Sequence, residues 1–322
     1  MKHVSILVPE TAIPAAIVDP RYMFTAINDF LKMAELKPAF DVKLVGLTKE
    51  VKLQDGQISI HTDALLKDIK KTDLIIIPAI SGSIEDALKK NAAFAPWINE
   101  HYKKGSEVAS LCIGAFLLAS TGLLKGKSCS THWLFANEFR TMFPDVILTD
   151  NKIITDQNGI YSSGGATSYW NLLLYLVEKY TNREMAIMAS KFFLLEIDRN
   201  TQSEFVMFKG QKDHDDLPII KAQEFIEKHY AEKITVDELA EKFGIGRRTF
   251  ERRFKKATTN TVIEYIQRVK IEAAKKQLEI GRRSVNEVMN DVGYSDIQTF
   301  IDIFKRITGM TPIEYKGKYS KK

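Results

Sequence analysis

Short apolar runs alternate with helix-spaced apolar patterns over the first ~195 residues. Val4–Val8, Val42–Leu47, Leu74–Ile77 and Val108–Leu111 predict strands; Met23–Ala34, Ile84–Lys89, Gly114–Ser120 and Ser168–Lys179 predict helices. Such alternation predicts an α/β domain, a mostly parallel sheet with helices on both faces. Residues 200–217 then turn polar and end in Lys212-Asp213-His214-Asp215-Asp216-Leu217-Pro218. That cluster has the composition of a connection. From Ile219 onward the pattern is helical throughout. The expected division is a first domain over 1–205, a linker over 206–217 and an all-helical domain over 218–317.

Within the helical part the pattern repeats. Thr235-Val236-Asp237-Glu238-Leu239-Ala240-Glu241-Lys242-Phe243-Gly244 is matched by Ser284-Val285-Asn286-Glu287-Val288-Met289-Asn290-Asp291-Val292-Gly293. Each copy opens with Ser or Thr and has Glu three residues on. That is a capping box, in which side chain and backbone satisfy two orphan amides reciprocally. Val236, Leu239, Ala240 and Phe243, like Val285, Val288, Met289 and Val292, then recur at i, i+3, i+4 and i+7, so one face is buried. Each short helix stops at a glycine suited to a left-handed cap. A second helix follows, carrying Phe250 and Phe254 in one copy and Phe300 and Phe304 in the other. The copies also close alike, on Thr261-Val262-Ile263-Glu264-Tyr265 and Thr311-Pro312-Ile313-Glu314-Tyr315. Helix, glycine turn and second helix make a helix-turn-helix, here present twice.

A plain helical bundle would also contain such hairpins. The polar face of the first second-helix argues for DNA instead. With Phe250 and Phe254 inward, Arg248, Glu251, Arg252 and Lys255 face out, beside Arg247 and Thr249. Arginine grips guanine O6 and N7, or a phosphate, through two donors. The counterpart helix offers Asp296, Gln298, Thr299, Asp302, Lys305 and Arg306. Gln298 suits adenine, whereas Asp302 repels phosphate unless a cytosine amino group or a nearby arginine satisfies it. This unit is expected to read fewer bases. Val262–Glu279 reads as one joining helix of ~27 Å, against ~34 Å between successive major-groove faces on one side of B-DNA, so both units can reach one duplex. Charge supports this. The chain of 322 residues has a net charge of +5, and residues 211–322 hold 23 Lys and Arg against 18 Asp and Glu, so the rest is balanced. The partner expected is the major groove of double-stranded DNA.

Residues 219–317 resemble the DNA-binding domain of the AraC/XylS regulators. Phe304-Lys305-Arg306-Ile307-Thr308-Gly309-Met310-Thr311-Pro312-Ile313-Glu314-Tyr315 is close to that family's closing signature. Gly246 replaces the usual serine cap of the first turn, and Thr259 and Val262 replace Gly and Pro. These departures weaken caps more than function.

The first domain carries the other candidate chemistry. Glu107-Val108-Ala109-Ser110-Leu111 predicts a buried strand, and Cys112-Ile113-Gly114-Ala115 an elbow opening a helix. Backbone amides and the helix dipole at such a turn are expected to lower a thiol pKa. Thr131-His132-Trp133 follows twenty residues later, and a Cys with a His is the minimum for thiol catalysis. The alternative is a small buried hydrophobe beside a satisfied histidine. With only Cys112 and Cys129, neither a disulfide framework nor a metal site is expected, and the thiols fit a reducing cytoplasm. The N-terminal apolar run stops at Pro9 and Glu10, too short for a signal peptide, and no run approaches the ~18 residues of a membrane span. Hydrophobic residues at 45% supply a core without metal or cofactor.

Residues 3–190 resemble the PfpI-type, class I glutamine amidotransferase-like superfamily. The likeness rests on Leu74-Ile75-Ile76-Ile77-Pro78, the Cys112 elbow, Gly122-Leu123-Leu124-Lys125-Gly126, Thr131-His132-Trp133 and Ser163-Gly164-Gly165. It implies a flavodoxin-like sheet. In its enzymes, hydrolases or glyoxalases, the elbow cysteine works with a histidine and an acid. Here the acid position falls near Ala16, with Asp19 displaced; Ala79-Ile80 replaces the paired glycines of the oxyanion site; Ile113 stands where proteolytic members carry histidine. Hydrolysis needs base, orienter and oxyanion hole together. No catalytic residue is therefore expected, Cys112 and His132 being vestigial. Ala79, Ile80, Cys112, Ile113 and His132 are instead expected to line a pocket for an unidentified small-molecule effector. The chain is read as a regulator, a homodimer with Met185–Leu195 as candidate interface. A Cys-dependent hydrolase or glyoxalase with an appended DNA-binding domain and a Cys112 redox switch are the alternatives.

Overall fold

A computed structural model describes residues 1–149, 152–197, 201–212 and 214–320. The chain divides into two compact units, Met1–Gln202 and Ser203–Lys322.

The first unit opens with β1 (Lys2–Leu7), α1 (Ala15–Met33) and β2 (Phe40–Gly46). A hairpin of β3 (Glu50–Leu53) and β4 (Ile58–His61) precedes β5 (Ala64–Leu65) and β6 (Leu74–Ile77). Then come α2 (Ile84–Lys90), α3 (Phe94–Lys103), β7 (Glu107–Ser110), α4 (Ala115–Ser120), β8 (Ser128–Cys129), α5 (Ala136–Met142) and β9 (Ile147–Leu148). β10 (Ile154–Gln157), β11 (Ile160–Ser163), α6 (Tyr169–Tyr180) and α7 (Arg183–Phe192) complete it. Seven strands form one sheet in the order β10-β11-β7-β6-β1-β2-β5, parallel except where β10 runs against β11. Every residue of β6 is buried, as a central strand covered on both faces requires. The helices fall into two groups: α1, α6 and α7 pack with one another, and α2 and α3 pack on α4. Because β1 sits between β2 and β6, strand order reverses at β1, and the loops after β1 and β6 flank a crevice where open α/β sheets bind ligands.

The predicted elements are present, with shifted ends. α1 begins at Ala15 rather than Met23 and runs through Pro20. Its buried face includes Ala16, Ile17 and Pro20, and that packing outweighs the one backbone hydrogen bond a proline removes.

The second unit is helical: α8 (Leu217–Lys228), α9 (Val236–Lys242), α10 (Arg247–Thr258), α11 (Val262–Ile280), α12 (Val285–Asp291), α13 (Ile297–Thr308) and α14 (Pro312–Tyr319). It has two hydrophobic cores. Val262, Tyr265, Ile266 and Val269 of α11 join Phe250 and Phe254 in one; Ile271, Ala274 and Leu278 join Phe300 and Phe304 in the other. Capping boxes start α9 and α12, and also α11 and α14. Gly244 and Gly293 take positive φ, +64° and +77°, at the turns after α9 and α12.

The polar stretch read as a linker does not hang free. Phe208 N donates to Glu272 Oε2 at 3.1 Å, Lys275 Nζ donates to the Val206 carbonyl at 2.6 Å, and the Phe208 ring meets Tyr265 edge-on. Asp213 of that stretch lies outside the described residues. Backbone hydrogen bonds and one half-buried ring spaced along a polar segment leave no compositional trace, which is why the sequence reads as a tether.

Candidate DNA interface and the elbow cysteine

α9 and α10 form the first helix-turn-helix. Phe250, Phe254 and Thr258 turn inward, leaving Arg247, Arg248, Thr249, Glu251, Arg252 and Lys255 exposed. The four arginines of this helix are not equivalent. Arg247 Nη1 donates to both carboxylate oxygens of Asp237, at 3.1 and 2.8 Å. Arg253 is locked onto Asp216. Among the described residues, no hydrogen bond or ion pair engages Arg248 or Arg252. Two guanidinium groups one helical turn apart are thus free for an outside acceptor.

α13 presents a different surface. Asp296 is its N-cap and accepts from Thr299 N at 2.7 Å and Thr299 Oγ1 at 2.6 Å. Gln298 Nε2 donates to Asp302 Oδ1 at 2.9 Å, so Asp302 is satisfied by Gln298 and not by an arginine. Arg306 Nη2 donates to Gln267 Oε1 of α11 at 2.6 Å. Of the polar groups singled out in this helix, Asp296, Gln298, Thr299, Asp302 and Arg306 are held within the unit, while Lys305 is exposed. Ile297, 39% exposed in the first turn, went unnoticed in the sequence. An apolar residue at the start of a recognition helix suits a thymine methyl group, but Ile297 stands at core spacing before Phe300 and Phe304, so the sequence carries no signal of its exposure.

In the first unit, Cys112 follows β7 with φ +53°, a left-handed conformation rare for a non-glycine residue. Its amide donates to Ser163 Oγ and its carbonyl accepts from Thr131 Oγ1, each at 3.2 Å. Gly114 is pressed against the end of β6: a Cβ there would meet the Pro78 carbonyl oxygen at 2.5 Å. The elbow is present, but the activated thiol is not. Cys112 is 4% exposed, and desolvation pushes its pKa up to about 12, against a smaller lowering by the Ile113 amide. The expected depression fails because α4 is short and starts at Ala115, beyond the cysteine, while burial acts directly on the sulfur.

His132 supplies no base. Its Nδ1 accepts from Leu134 N at 3.1 Å, capping a 3-10 turn over Trp133–Phe135. A neutral imidazole accepting at Nδ1 carries its proton at Nε2. Desolvation lowers its pKa and favours that neutral form. Among the described residues, no hydrogen bond joins His132 to Cys112. Asp19 is turned to another task, accepting from the Tyr169 hydroxyl at 2.6 Å, and Ala16 is buried. The segment after β6 is zipped to the loop after β1: Ile13 N donates to the Ala79 carbonyl, Ser81 N to the Thr11 carbonyl, each at 2.8 Å, around an Ala12–Ile80 bridge. Ala79, Ile80, Cys112 and Ile113 are all buried, and only His132 of the five expected pocket residues is partly exposed. Beside that bridge lies a cleft of about 620 Å³, lined by Glu10, Thr11, Lys52, Ser81 and Lys90 among others. No group of three His, Cys, Asp or Glu is placed to hold a metal, and no helix is long and apolar enough to cross a membrane, among the described residues.

A family model described as the DJ-1/PfpI family matches residues 22–179, and one described as a helix-turn-helix domain matches residues 239–318. The HTH-type transcriptional regulator GbdR of Pseudomonas aeruginosa is 26% identical, over 82% of this chain and 71% of its own length. The HTH-type transcriptional regulator CdhR of the same species is 24% identical, over 77% of this chain and 73% of its own. An AraC family transcriptional regulator from Pseudomonas putida shares the fold, with a TM-score of 0.51 and 17% identity over 60% of this chain and 100% of that one. The chain belongs to the AraC family of DNA-binding transcriptional regulators and carries a DJ-1/PfpI-family domain ahead of its helix-turn-helix units.

Proposed function

We propose that the DJ-1/PfpI-type domain is a non-catalytic sensor of a small metabolite and that it governs a two-headed DNA reader. The observation that carries this is the state of the elbow. Cys112 keeps the strained backbone of a nucleophile, yet its thiol is buried and protonated, and His132 has its acceptor nitrogen occupied. Without thiolate, base or orienting acid, thiol chemistry lacks the groups that must act together. The effector would enter the cleft beside the Ala12–Ile80 bridge.

On DNA, Arg248 and Arg252 of α10 would supply most of the direct readout, with Thr249, Glu251 and Lys255 beside them. α13 would set register, with Ile297 and Gln298 toward the bases. The working form would be a cytoplasmic homodimer. Its support is the outer face of α7 and the turn after it, where Met188, Phe192 and Leu194 are 49%, 52% and 92% exposed. A ligand controls such a protein only through different affinities for its two states.

The test is a mobility-shift assay on duplexes selected from a random library, followed by titration with metabolites that raise the melting temperature of the whole chain. A salt-sensitive, sequence-selective complex whose affinity moves with a hit is expected. Turnover of an amide, ester or dicarbonyl that disappears in Cys112→Ala would overturn the sensor reading.

A further inference from the structure

α11 passes from the first core of the DNA-binding unit to the second between Val269 and Ile271, and the residue at that passage is Lys270. Lys270 is only 7% exposed. Its Nζ donates to the Gly293 carbonyl at 3.1 Å and lies 3.4 Å from the Glu232 carbonyl. Glu232 lies between α8 and α9, on the side of the first core and just ahead of the first helix-turn-helix; Gly293 is the turn of the second. The ammonium also stands 5.3 Å from the centre of the Tyr294 ring. No carboxylate pairs with it among the described residues.

The two units meet around this nitrogen. Tyr230 packs against both cores. A Cβ on Gly293 would meet the Ala231 carbonyl oxygen at 2.1 Å and Lys270 Nζ at 2.7 Å, so the second turn rests directly on the first unit's backbone. Burying an ammonium against neutral dipoles is a poor way to gain stability, since desolvation opposes it and an apolar side chain of like length would pack as well. What the ammonium adds is geometry. It requires two carbonyls, one from each unit, to converge on one point.

We propose that Lys270 is a register pin: it fixes the separation and angle of the two helix-turn-helix units, and so sets the spacing between the two DNA segments that one chain accepts. The wild-type chain tolerates only the spacing it selects. A chain without the pin accepts several.

The probe is a duplex selected by the wild-type full chain from a randomised library, with base pairs then added or removed between its two contacted segments. Fluorescence anisotropy gives the affinity for each version. For wild type, one added base pair is expected to weaken binding by about tenfold or more. In Lys270→Met, which keeps the stem and loses the donor, that ratio is expected to fall below about threefold, with Lys270→Arg restoring part of it. Wild-type discrimination in a Lys270→Met chain that melts cooperatively would overturn the proposal. If that variant does not fold, spin labels on Lys256→Cys and Lys305→Cys in the otherwise wild-type chain decide. One narrow distance is expected, and a broad distribution overturns it. The inference rests on both units touching DNA. Scrambling either segment of the selected duplex tests that separately, because unchanged affinity would remove the second contact and not the pin.

Discussion

Arg253 grips Asp216 through two hydrogen bonds, 2.9 Å from Nε and 2.6 Å from Nη2, fastening the first recognition helix to the start of α8. The same carboxylate caps α8 by accepting from Ile219 N at 3.3 Å. The Arg253 hydrogen bonds hold the Asp216 pKa below its ordinary value. A folded-state pKa below the unfolded one contributes stability that is complete above the unfolded value, near 3.8, and is lost as pH falls through the depressed value. The melting temperature is therefore expected to drop as the buffer is taken below about pH 4. Asp216→Asn keeps a competent cap but not the charge. It should show a lower melting temperature at neutral pH and a shallower acid limb; parallel limbs would refute the assignment.

The unequal arginines of α10 predict unequal losses. Arg248→Ala and Arg252→Ala are each expected to weaken specific DNA binding by about 1–3 kcal/mol, as removal of a base contact does. Arg247→Ala should cost less, because its guanidinium is already shared with Asp237. Arg306→Ala should cost least, being tied to Gln267. Anisotropy titrations at one fixed salt concentration rank the four. Equal losses from all would mean that the pairing in the free chain is abandoned on DNA.

What the sequence revealed follows from the range of each interaction. The Leu74-Ile75-Ile76-Ile77 run is a complete local statement of a central strand, and both capping boxes lie within four residues, so these were legible. The β3–β4 hairpin is also legible, from Asp55-Gly56 between alternating Val51, Leu53, Ile58 and Ile60. Other features needed partners far along the chain. Arg253 finds Asp216 thirty-seven residues away, and Lys275 finds Val206 sixty-nine away. The thiol departs from the expectation for a related reason: an elbow motif reports backbone shape, whereas the Cys112 pKa is set by what covers the sulfur.

That burial makes a chemical prediction. At pH 8 a thiol with pKa about 12 holds on the order of a thousandfold less thiolate than a free one. Cys129 is raised to about 12 as well. Iodoacetamide should therefore leave both cysteines of the native chain unmodified over times that alkylate the unfolded chain fully, as read by intact mass. Peroxide should not alter DNA affinity, and Cys112→Ala should bind DNA as wild type does. Rapid single alkylation at Cys112 would restore the redox switch as a reading.

Gly114 offers a test of how tightly the elbow is built. Its backbone is helical, with φ −59°, so alanine carries no conformational strain there and would ordinarily favour the helix. The obstacle is space: a Cβ would lie 2.5 Å from the Pro78 carbonyl oxygen and 2.7 Å from that of Ile77. Both are backbone atoms of the buried end of β6, and neither can swing aside as a side chain tip would. Gly114→Ala must therefore push the start of α4 away from the sheet, at a cost of about 1–3 kcal/mol. Gly122 is the control. It has φ +79° and open space at its Cβ, so alanine there meets backbone strain alone, about 1–2 kcal/mol. The two are separated by the Cys112 thiol: only Gly114→Ala is expected to speed its alkylation, because only that change pries the elbow open. Matching alkylation rates in both variants would show that the cover over Cys112 does not depend on this contact.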